Sequence, residues 1–560
     1  LTGRLRNPEF VGWLLLAAAV AVAAAFIFWV ERGLTFGWDE FVWLEIGGLA
    51  PVDYFLQPYG GHLIVFPYLL WRGMLDLFGA SFTAFSIVQV AGLSLSATLL
   101  YVYGKRRLGP LLALGPAVVL LFLGGSYPVL MEPMIGIQFL AASVPGLAAI
   151  LLLEREDLAG DVAACALLCL AFAGFSQALP FVVGAVVAVA LSPNWKRRIW
   201  AVAIPIVAYG IWRQWASQFG STGIIESNIL PLPAYFVDAL AVFTSAVFGL
   251  ATEVGAGPWS KLRIDGYEAS LVLQGIVLAV AELIAIGVAI WTLRRRGPIP
   301  RTFWPALAML IAFAVELGVI LVPGRTAAEP RYLYGGVLLL LLVVIELARG
   351  VRTTRLTVAV ALVLTAVAVV GNLARFHEAR QYLDAFQKYA RADMTVIQLA
   401  GENADQAFTP NVDLPGIISG GLVLNTGPWL LVVDRYGSVA NSIPELRDQP
   451  EEVREQADLV ARRALRLKLA KVPATAARGC ARVSAGLGPT DVVLPRGGAR
   501  LKASRDSEVG LRRWADHFSV PLEEVRAGGA VVLRIPPDPS HVPWRLRFQS
   551  GGPVEVCALG

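Results

Sequence analysis

Charge is scarce in this sequence. Only 16% of its 560 residues are Asp, Glu, Lys or Arg, against 56% hydrophobic, and the mean hydropathy is +0.63. A soluble globular protein carries about 25% charged residues, so an ordinary water-soluble domain is excluded. Cysteine is scarce too: four residues are too few for a disulfide scaffold. Cys165 and Cys169 lie in an apolar run and read as small core residues. Cys480 and Cys557 lie in a polar C-terminal region and are open to pairing if that region is outside the cytoplasm. There are four His residues and no metal-ligand spacing, no phosphate-binding glycine loop and no GxSxG elbow. The net charge of +5 comes from basic residues in short clusters at helix ends. That is the pattern of membrane topology signals, not of a stripe tracking nucleic acid. No internal repeat or low-complexity tract is evident.

What the chain has in abundance is apolar runs of about 20 residues, the length that crosses a bilayer as a helix. The class is an all-α polytopic membrane protein. The first run, Phe10–Val30, carries alanine triplets resembling a signal-peptidase site but reads as a retained first transmembrane helix. Arg4 and Arg6 precede it, so the N-terminus is expected in the cytoplasm. Further basic clusters at Lys105–Arg107, Lys196–Arg198, Arg294–Arg296 and Arg349–Arg355 should share that side. Spans at 10–30, 83–104, 110–127, 135–153, 161–177, 179–193, 199–215, 271–293, 303–322, 334–348 and 355–373 satisfy this parity. That gives about eleven transmembrane helices, with everything after 375 extracytoplasmic. Two apolar stretches do not fit as crossings. The stretch 62–79, with Pro67, Arg72 and Asp76, reads as an interfacial helix; 233–252 reads as a re-entrant or surface helix within an outer loop, 216–270.

The membrane domain is thus expected over 1–375 and an extracytoplasmic α+β domain over 376–560, helical over 376–472 and β-rich over 473–560. Residues 376–405 and 444–472 have helical apolar spacing, and Ser442 before Pro444-Glu445 resembles a helix start. The runs DVVLP, AVVLRIP, WRLRFQ and PVEVCAL predict strands of a small β-sandwich.

The outer loop 31–82 is unusual for a connector. It sets Asp39 and Glu40 side by side just past the first span, with Asp53, His62, Arg72 and Asp76 following. Polar groups beside hydrocarbon are costly, so this stretch reads as the floor of a site at the membrane surface. Solvated acids are the alternative for Asp39-Glu40, and an aromatic belt is the alternative for the flanking Trp and Tyr residues. Trp38 and Tyr59 neighbour the acids and the Gly60-Gly61 turn and are assigned to substrate contact; His62 could line the same site. Glu132, between the helix-breaking Pro128 and Pro133, falls at the next outer boundary, with Gln138 one and a half turns on. Arg325 and the Glu329-Pro330-Arg331-Tyr332 segment also fall on the outer side, against the positive-inside bias. A lipid-linked phosphate is one reason for such arginines, and an ion pair of Arg331 with Glu329 is the other. Glu282 and Glu316 sit inside expected spans and read as structural.

These residues and their order resemble the GT-C superfamily of membrane glycosyltransferases, which includes protein O-mannosyltransferases, aminoarabinose transferases and arabinofuranosyltransferases. The likeness lies in the first helix, the acidic pair Asp39-Glu40, the proline-containing surface segment QPYGGHLIVFPYLLWRGMLDLFG, the basic turn LYVYGKRRLG and the later Arg331-Tyr332. It covers roughly 10–155 and the Arg-Tyr segment. The double proline often seen in the surface segment is replaced by Tyr59-Gly60-Gly61. The resemblance implies a GT-C-like fold and transfer of a sugar from a polyprenyl-phosphate donor to an extracytoplasmic glycan, lipid or protein acceptor, with inversion. It implies Asp39, with Glu40, as the catalytic acids and Trp38, Tyr59, His62, Glu132, Gln138, Arg325, Arg331 and Tyr332 as substrate-binding residues. No cofactor is required by it; assistance by a divalent metal stays open. The rival readings are a transporter or flippase of a lipid-linked or sugar substrate, which would show symmetric halves and broken helices at mid-membrane, and a non-catalytic surface binder anchored by the spans.

The topology is directly testable. Single cysteines placed at 39 and 376 should label from one side of the membrane and one placed at 106 from the other. Labelling of 39 and 376 from opposite sides would remove the expected site.

Overall fold

The computed structural model describes residues 7–220, 228–230, 232–250, 287, 299–320, 327–410, 425–473, 480–484, 489–548 and 552–559. Two compact units emerge: Leu1–Leu34 with Ala50–Tyr382, and Thr35–Leu49 with Leu383–Gly560. In chain order the first helices are α1 (Pro8–Val30), α2 (Asp39–Leu49), α3 (Val65–Phe78), α4 (Phe82–Leu108), α5 (Leu114–Leu121), α6 (Tyr127–Met131), α7 (Pro133–Leu153), α8 (Leu158–Gly174) and α9 (Leu179–Ala190). Then come α10 (Trp195–Arg198), α11 (Trp200–Ala216), α12 (Leu232–Val247), α13 (Phe303–Val319), α14 (Pro330–Leu347), α15 (Arg355–Ala400), α16 (Thr426–Tyr436), α17 (Ile443–Arg447) and α18 (Glu451–Ala464).

The first unit is a helical bundle. Among the described residues six helical stretches are long and apolar enough to cross a membrane: Pro8–Val30, Phe82–Leu108, Leu114–Met131, Pro133–Leu153, Pro330–Leu347 and Arg355–Asn403. Shorter apolar helices lie at Leu158–Gly174, Ser176–Ala190, Tyr235–Val247 and Phe303–Val319. The chain is therefore an integral membrane protein by composition and helix length. Of the expected span 271–293 only residue 287 is among the described residues.

At one end of the bundle the basic clusters do more than mark topology. Arg107, at the end of α4, forms a buried ion pair with Glu346 of α14 and a second with Glu154 beyond α7. Tyr103 and Thr302 also donate to Glu346, at 2.7 and 2.9 Å. Arg198 of α10 pairs with Asp161 of α8 at 2.7 Å and donates to Leu153 O. Helix ends carrying Lys105–Arg107, Lys196–Arg198 and Arg349 thus meet in one layer, as a shared membrane face requires.

At the opposite end the expected span 110–127 is broken. α5 ends at Leu121, a 3₁₀ turn covers Gly124–Ser126, and α6 and α7 restart on Pro128 and Pro133. The break follows from close packing: a Cβ on Gly124 would lie 2.1 Å from the carbonyl oxygen of Asn372 in α15. α12 has both ends at this same end of the bundle. Leu232 and Tyr235 lie against Gly318, and Asn372 Nδ2 donates to Val247 O at 3.0 Å. It packs against α13 and α14, with Phe243 wholly buried, rather than lying on the surface. α3 has the two faces of an interfacial helix: Tyr68, Trp71 and Leu75 are buried, while Leu69, Leu77 and Phe78 are exposed.

The helices expected separately at 355–373 and 376–405 are one helix, since no proline interrupts the run and Gly371-Asn372 is absorbed. The helix expected over 444–472 is instead α17, α18 and a strand, divided at Pro450. Ser442 and Glu445 form the capping box that starts α17.

Among the described residues nine strands complete the second unit: β1 (Leu469–Val472), β2 (Cys480–Ser484), β3 (Thr490–Val493), β4 (Gly498–Ala503), β5 (Val509–Arg512), β6 (Val520–Pro521), β7 (Ala530–Arg534), β8 (Arg545–Phe548) and β9 (Pro553–Ala558). One sheet has the order β1-β7-β4-β9-β2 and the other β3-β8-β5-β6, with antiparallel pairs throughout. Cys480 and Cys557, directly opposite on β2 and β9, are disulfide-bonded. α18 is tied to β5 by Asp458, whose carboxylate accepts the backbone N–H groups of Arg513, Trp514 and Ala515, each at 3.0 Å.

Burial lifts the Asp458 carboxyl from the ordinary 3.8 to about 6, against the pull of those amides and of Arg513. A raised folded-state value means the folded protein holds this proton more tightly than the unfolded chain. The contribution to stability is full below 3.8 and is lost as pH rises through about 6. Asp405 and Asp516, held low by hydrogen bonds from Arg466 and Arg454, act only at lower pH and with the opposite sign. Thermal unfolding of the second unit within the intact chain should therefore rise by about 2–4 °C more from pH 7 to pH 5 in wild type than in Asp458→Asn. Equal slopes in the two proteins would contradict the assignment.

Candidate active site

In the second unit, the chain turns into α2 through Gly37 and Trp38, the latter at φ 45°. Glu40 is buried, and its Oε2 accepts the backbone N–H of Gly37 at 2.8 Å. The longer acid of the pair thus reaches back three residues and closes the helix start, as the acid of a capping box does. Asp39, the first helical residue, is exposed. The positive end of the helix dipole favours its ionised form. The segment is held on its own unit: Thr35 N–H donates to Gln387 Oε1 at 2.8 Å, and Trp38 stacks on Phe386 with ring centres 3.8 Å apart. One face of the Trp38 ring, read above as a substrate contact, is therefore taken by packing. Phe41 packs edge-on against Trp429, and Tyr436 Oη donates to Gly48 O at 2.9 Å. These contacts group residues 35–49 with the C-terminal unit, where the sequence suggested a loop of the membrane domain.

In the first unit, Tyr59-Gly60-Gly61-His62 is a two-residue hairpin. Tyr59 and His62 exchange backbone hydrogen bonds at 3.1 and 3.0 Å, and both glycines have positive φ, 55° and 86°. That is the geometry two adjacent glycines permit and other residues resist. It holds Tyr59 against Tyr68, with ring centres 6.2 Å apart, and aims His62 at the corner between α8 and α9. There His62 Nδ1 lies 2.6 Å from Ser176 Oγ, and its ring packs on Phe175 at 4.5 Å. Glu316 of α13 lies within electrostatic reach of Ser176. This grouping of His62, Ser176 and Glu316 was not legible in the sequence, where Glu316 reads as a lone intramembrane acid. The helix-breaking run Phe175-Ser176-Gln177 was the available signal. Glu282 lies outside the described residues.

Glu132 is buried between α6 and α7, and Gln138 is buried one and a half turns along α7. Gln138 Nε2 has no hydrogen-bond partner among the described residues. The start of α14 is brought to this corner by Ser126 Oγ, which donates to Pro330 O at 2.9 Å. Arg331 pairs with Glu329 and lies 5.3 Å from the centre of the Tyr332 ring. Its Nε and Glu329 Oε2 are buried without a hydrogen-bond partner among the described residues. Tyr127 lies within electrostatic reach of Glu132, Glu329, Arg331 and Tyr382. Glu132 and Arg331, read separately from the sequence, therefore share one polar corner. Arg325 lies outside the described residues.

Among the described residues, no group of three or more His, Cys, Asp or Glu is arranged to hold a metal ion. No family model matches the sequence, and no curated protein matches it. A solved structure, ArnT from Cupriavidus metallidurans bound to undecaprenyl phosphate, aligns over 81% of this chain and 89% of its own at 16% identity. The TM-score of 0.43 is too low for that likeness to carry a fold or an activity across.

Proposed function

We propose that this chain is a membrane glycosyltransferase of GT-C type that moves a sugar from a polyprenyl-phosphate donor to an acceptor hydroxyl on the extracytoplasmic side. The observation that carries the reading is the division of labour in the acidic pair. Glu40 is committed to the backbone of Gly37 and Asp39 is exposed at a helix start. The topology expected from the basic clusters puts Asp39 and Arg331 on the same side of the membrane.

Asp39 acts as the general base. Its carboxylate takes the proton of the acceptor hydroxyl as that oxygen attacks the anomeric carbon. The bond from the anomeric carbon to the phosphate oxygen breaks, its electron pair stays on phosphate, and polyprenyl phosphate leaves. No strong general acid is needed, because that leaving group is already a stable anion. Arg331 stabilises the charge developing on it through forked hydrogen bonds. Attack from the face opposite the leaving group inverts the anomeric centre. Tyr59, His62, Glu132, Gln138 and Tyr332 serve in sugar and acceptor positioning, as does the open face of Trp38. Glu40 supports Asp39 by fixing the helix start.

Asp39→Asn is expected to lower turnover by about 10²–10⁴-fold at saturating donor, with donor binding little changed. Glu40→Gln keeps an oxygen for the Gly37 N–H and should retain most activity, whereas Glu40→Ala should lose about 1 kcal/mol of stability, the scale of a lost cap. Arg331→Lys should recover little of the donor affinity lost in Arg331→Ala, since lysine cannot form the fork. Near-wild-type turnover in Asp39→Asn with a dead Glu40→Gln would reverse the assignment of the base; full activity in both would remove it.

A further inference from the structure

Where α1 ends and α15 passes it, the first unit has a hollow of about 410 Å³ that the proposed chemistry does not use. Phe26 and Trp29 line it from α1, and Phe376 lines it from α15. Arg32, His377 and Arg380 complete the wall. The two helices are in direct contact here: the Phe26 and Phe376 rings meet edge-on at 5.2 Å, and Arg380 donates to Val30 O at the last turn of α1. At 1.5 Å per residue, the basic groups lie about one to two turns beyond Phe26 and Leu373, so the hollow is aromatic at one end and cationic at the other.

Among the described residues no carboxylate lines it. Of the acids beside it in sequence, Glu31 is buried and takes the hydroxyl of Ser86, Glu378 pairs with Arg375 at 2.6 Å and Asp384 pairs with Lys388 at 2.7 Å. Below the hollow, α1 leaves Val22 exposed and α15 leaves Val363, Val367 and Val370 exposed, on helices of membrane-spanning length. The basic groups lie at the end of the bundle opposite the Arg107–Glu346 layer, where the positive-inside bias disfavours them. A volume in the range of small-ligand sites, with cations at one end and apolar side chains leading into the bilayer, matches one chemistry. It is a phosphate head carried on hydrocarbon.

We propose that this hollow is a lateral site for an anionic glycerophospholipid of the surrounding leaflet. Its phosphate sits among Arg32, His377 and Arg380, and an acyl chain runs over Phe26 and Trp29. The site shares no lining residue with the donor position assigned to Arg331 and does not depend on the chain being a transferase.

Native mass spectrometry of the intact chain tests this with phosphatidylglycerol, phosphatidylcholine and a polyprenyl phosphate offered in turn and in pairs at equal concentration. Wild type should retain phosphatidylglycerol about tenfold more than phosphatidylcholine. The double variant Arg32→Gln/His377→Gln, which changes two exposed side chains and spares the Arg380 bond to α1, should lose that preference. Its lipid-free Tm should match wild type, separating lost binding from misfolding. Equal retention of the two phospholipids, or a preference unchanged in the variant, would overturn the proposal. So would polyprenyl phosphate displacing phosphatidylglycerol from wild type at equal concentration, since the hollow would then take the donor lipid. A transferase shown inactive would leave the lipid result standing.

Discussion

Asn372 is the point on which the candidate end of the bundle depends. It is 1% exposed and lies where three elements meet. Its Oδ1 accepts the N–H of Gly125, and its Nδ2 donates to the carbonyls of Ala246, Val247 and Ala368. Such a residue satisfies at once the freed backbone of the α5–α6 break and of the end of α12, which apolar neighbours would leave unpaired. The approach is close enough that a Cβ on Gly371 would lie 2.1 Å from Phe248 O. Because α5 stops here, α6 and α7 restart on prolines and Glu132 falls at the joint. Because Ser126 then holds Pro330 O, Arg331 arrives at the same corner.

The two ends of the bundle treat charge differently. At the Arg107 end, guanidinium, carboxylate, phenol and hydroxyl groups are matched to one another across α4, α7, α13 and α14. A buried pair of this kind contributes specificity of packing more than net stability, because desolvation offsets much of the attraction. At the Arg331 end, Arg331 Nε, Glu329 Oε2 and Gln138 Nε2 are buried with no hydrogen-bond partner among the described residues. Buried polar atoms are normally paired. Unpaired donors and acceptors gathered at this corner are what a polar substrate would complete.

Much of this was legible in the residues because the cause was local. Apolar runs became helices since hydrocarbon leaves the backbone no other partner. Gly60-Gly61 gave its turn, and Ser442 before Pro444-Glu445 gave its helix start. The four strands seen as alternating runs are β3, β7, β8 and β9. What was hidden depends on distant partners. Nothing near Thr35 announces that its backbone pairs with Gln387, or that Trp38 stacks on Phe386, so the grouping of 35–49 with the C-terminal unit could not be read. β4 (GARLKA) and β5 (VGLR) are too short and too mixed to stand out without the neighbours they pair with. Arg107 and Arg198 looked like topology markers because the carboxylates they bind, Glu346 and Asp161, are far away in sequence.

The account turns on whether the chain performs sugar transfer from a lipid phosphate. The most direct measurement incubates the purified, membrane-reconstituted protein with a panel of polyprenyl-phosphate sugars and a mixed envelope extract as acceptor, and follows release of polyprenyl phosphate. The account predicts release from at least one donor, dependent on acceptor and accompanied by a product of inverted anomeric configuration. Intact donors across the panel, with lipid-linked sugar instead appearing in the opposite leaflet, would contradict it and make the chain a transporter.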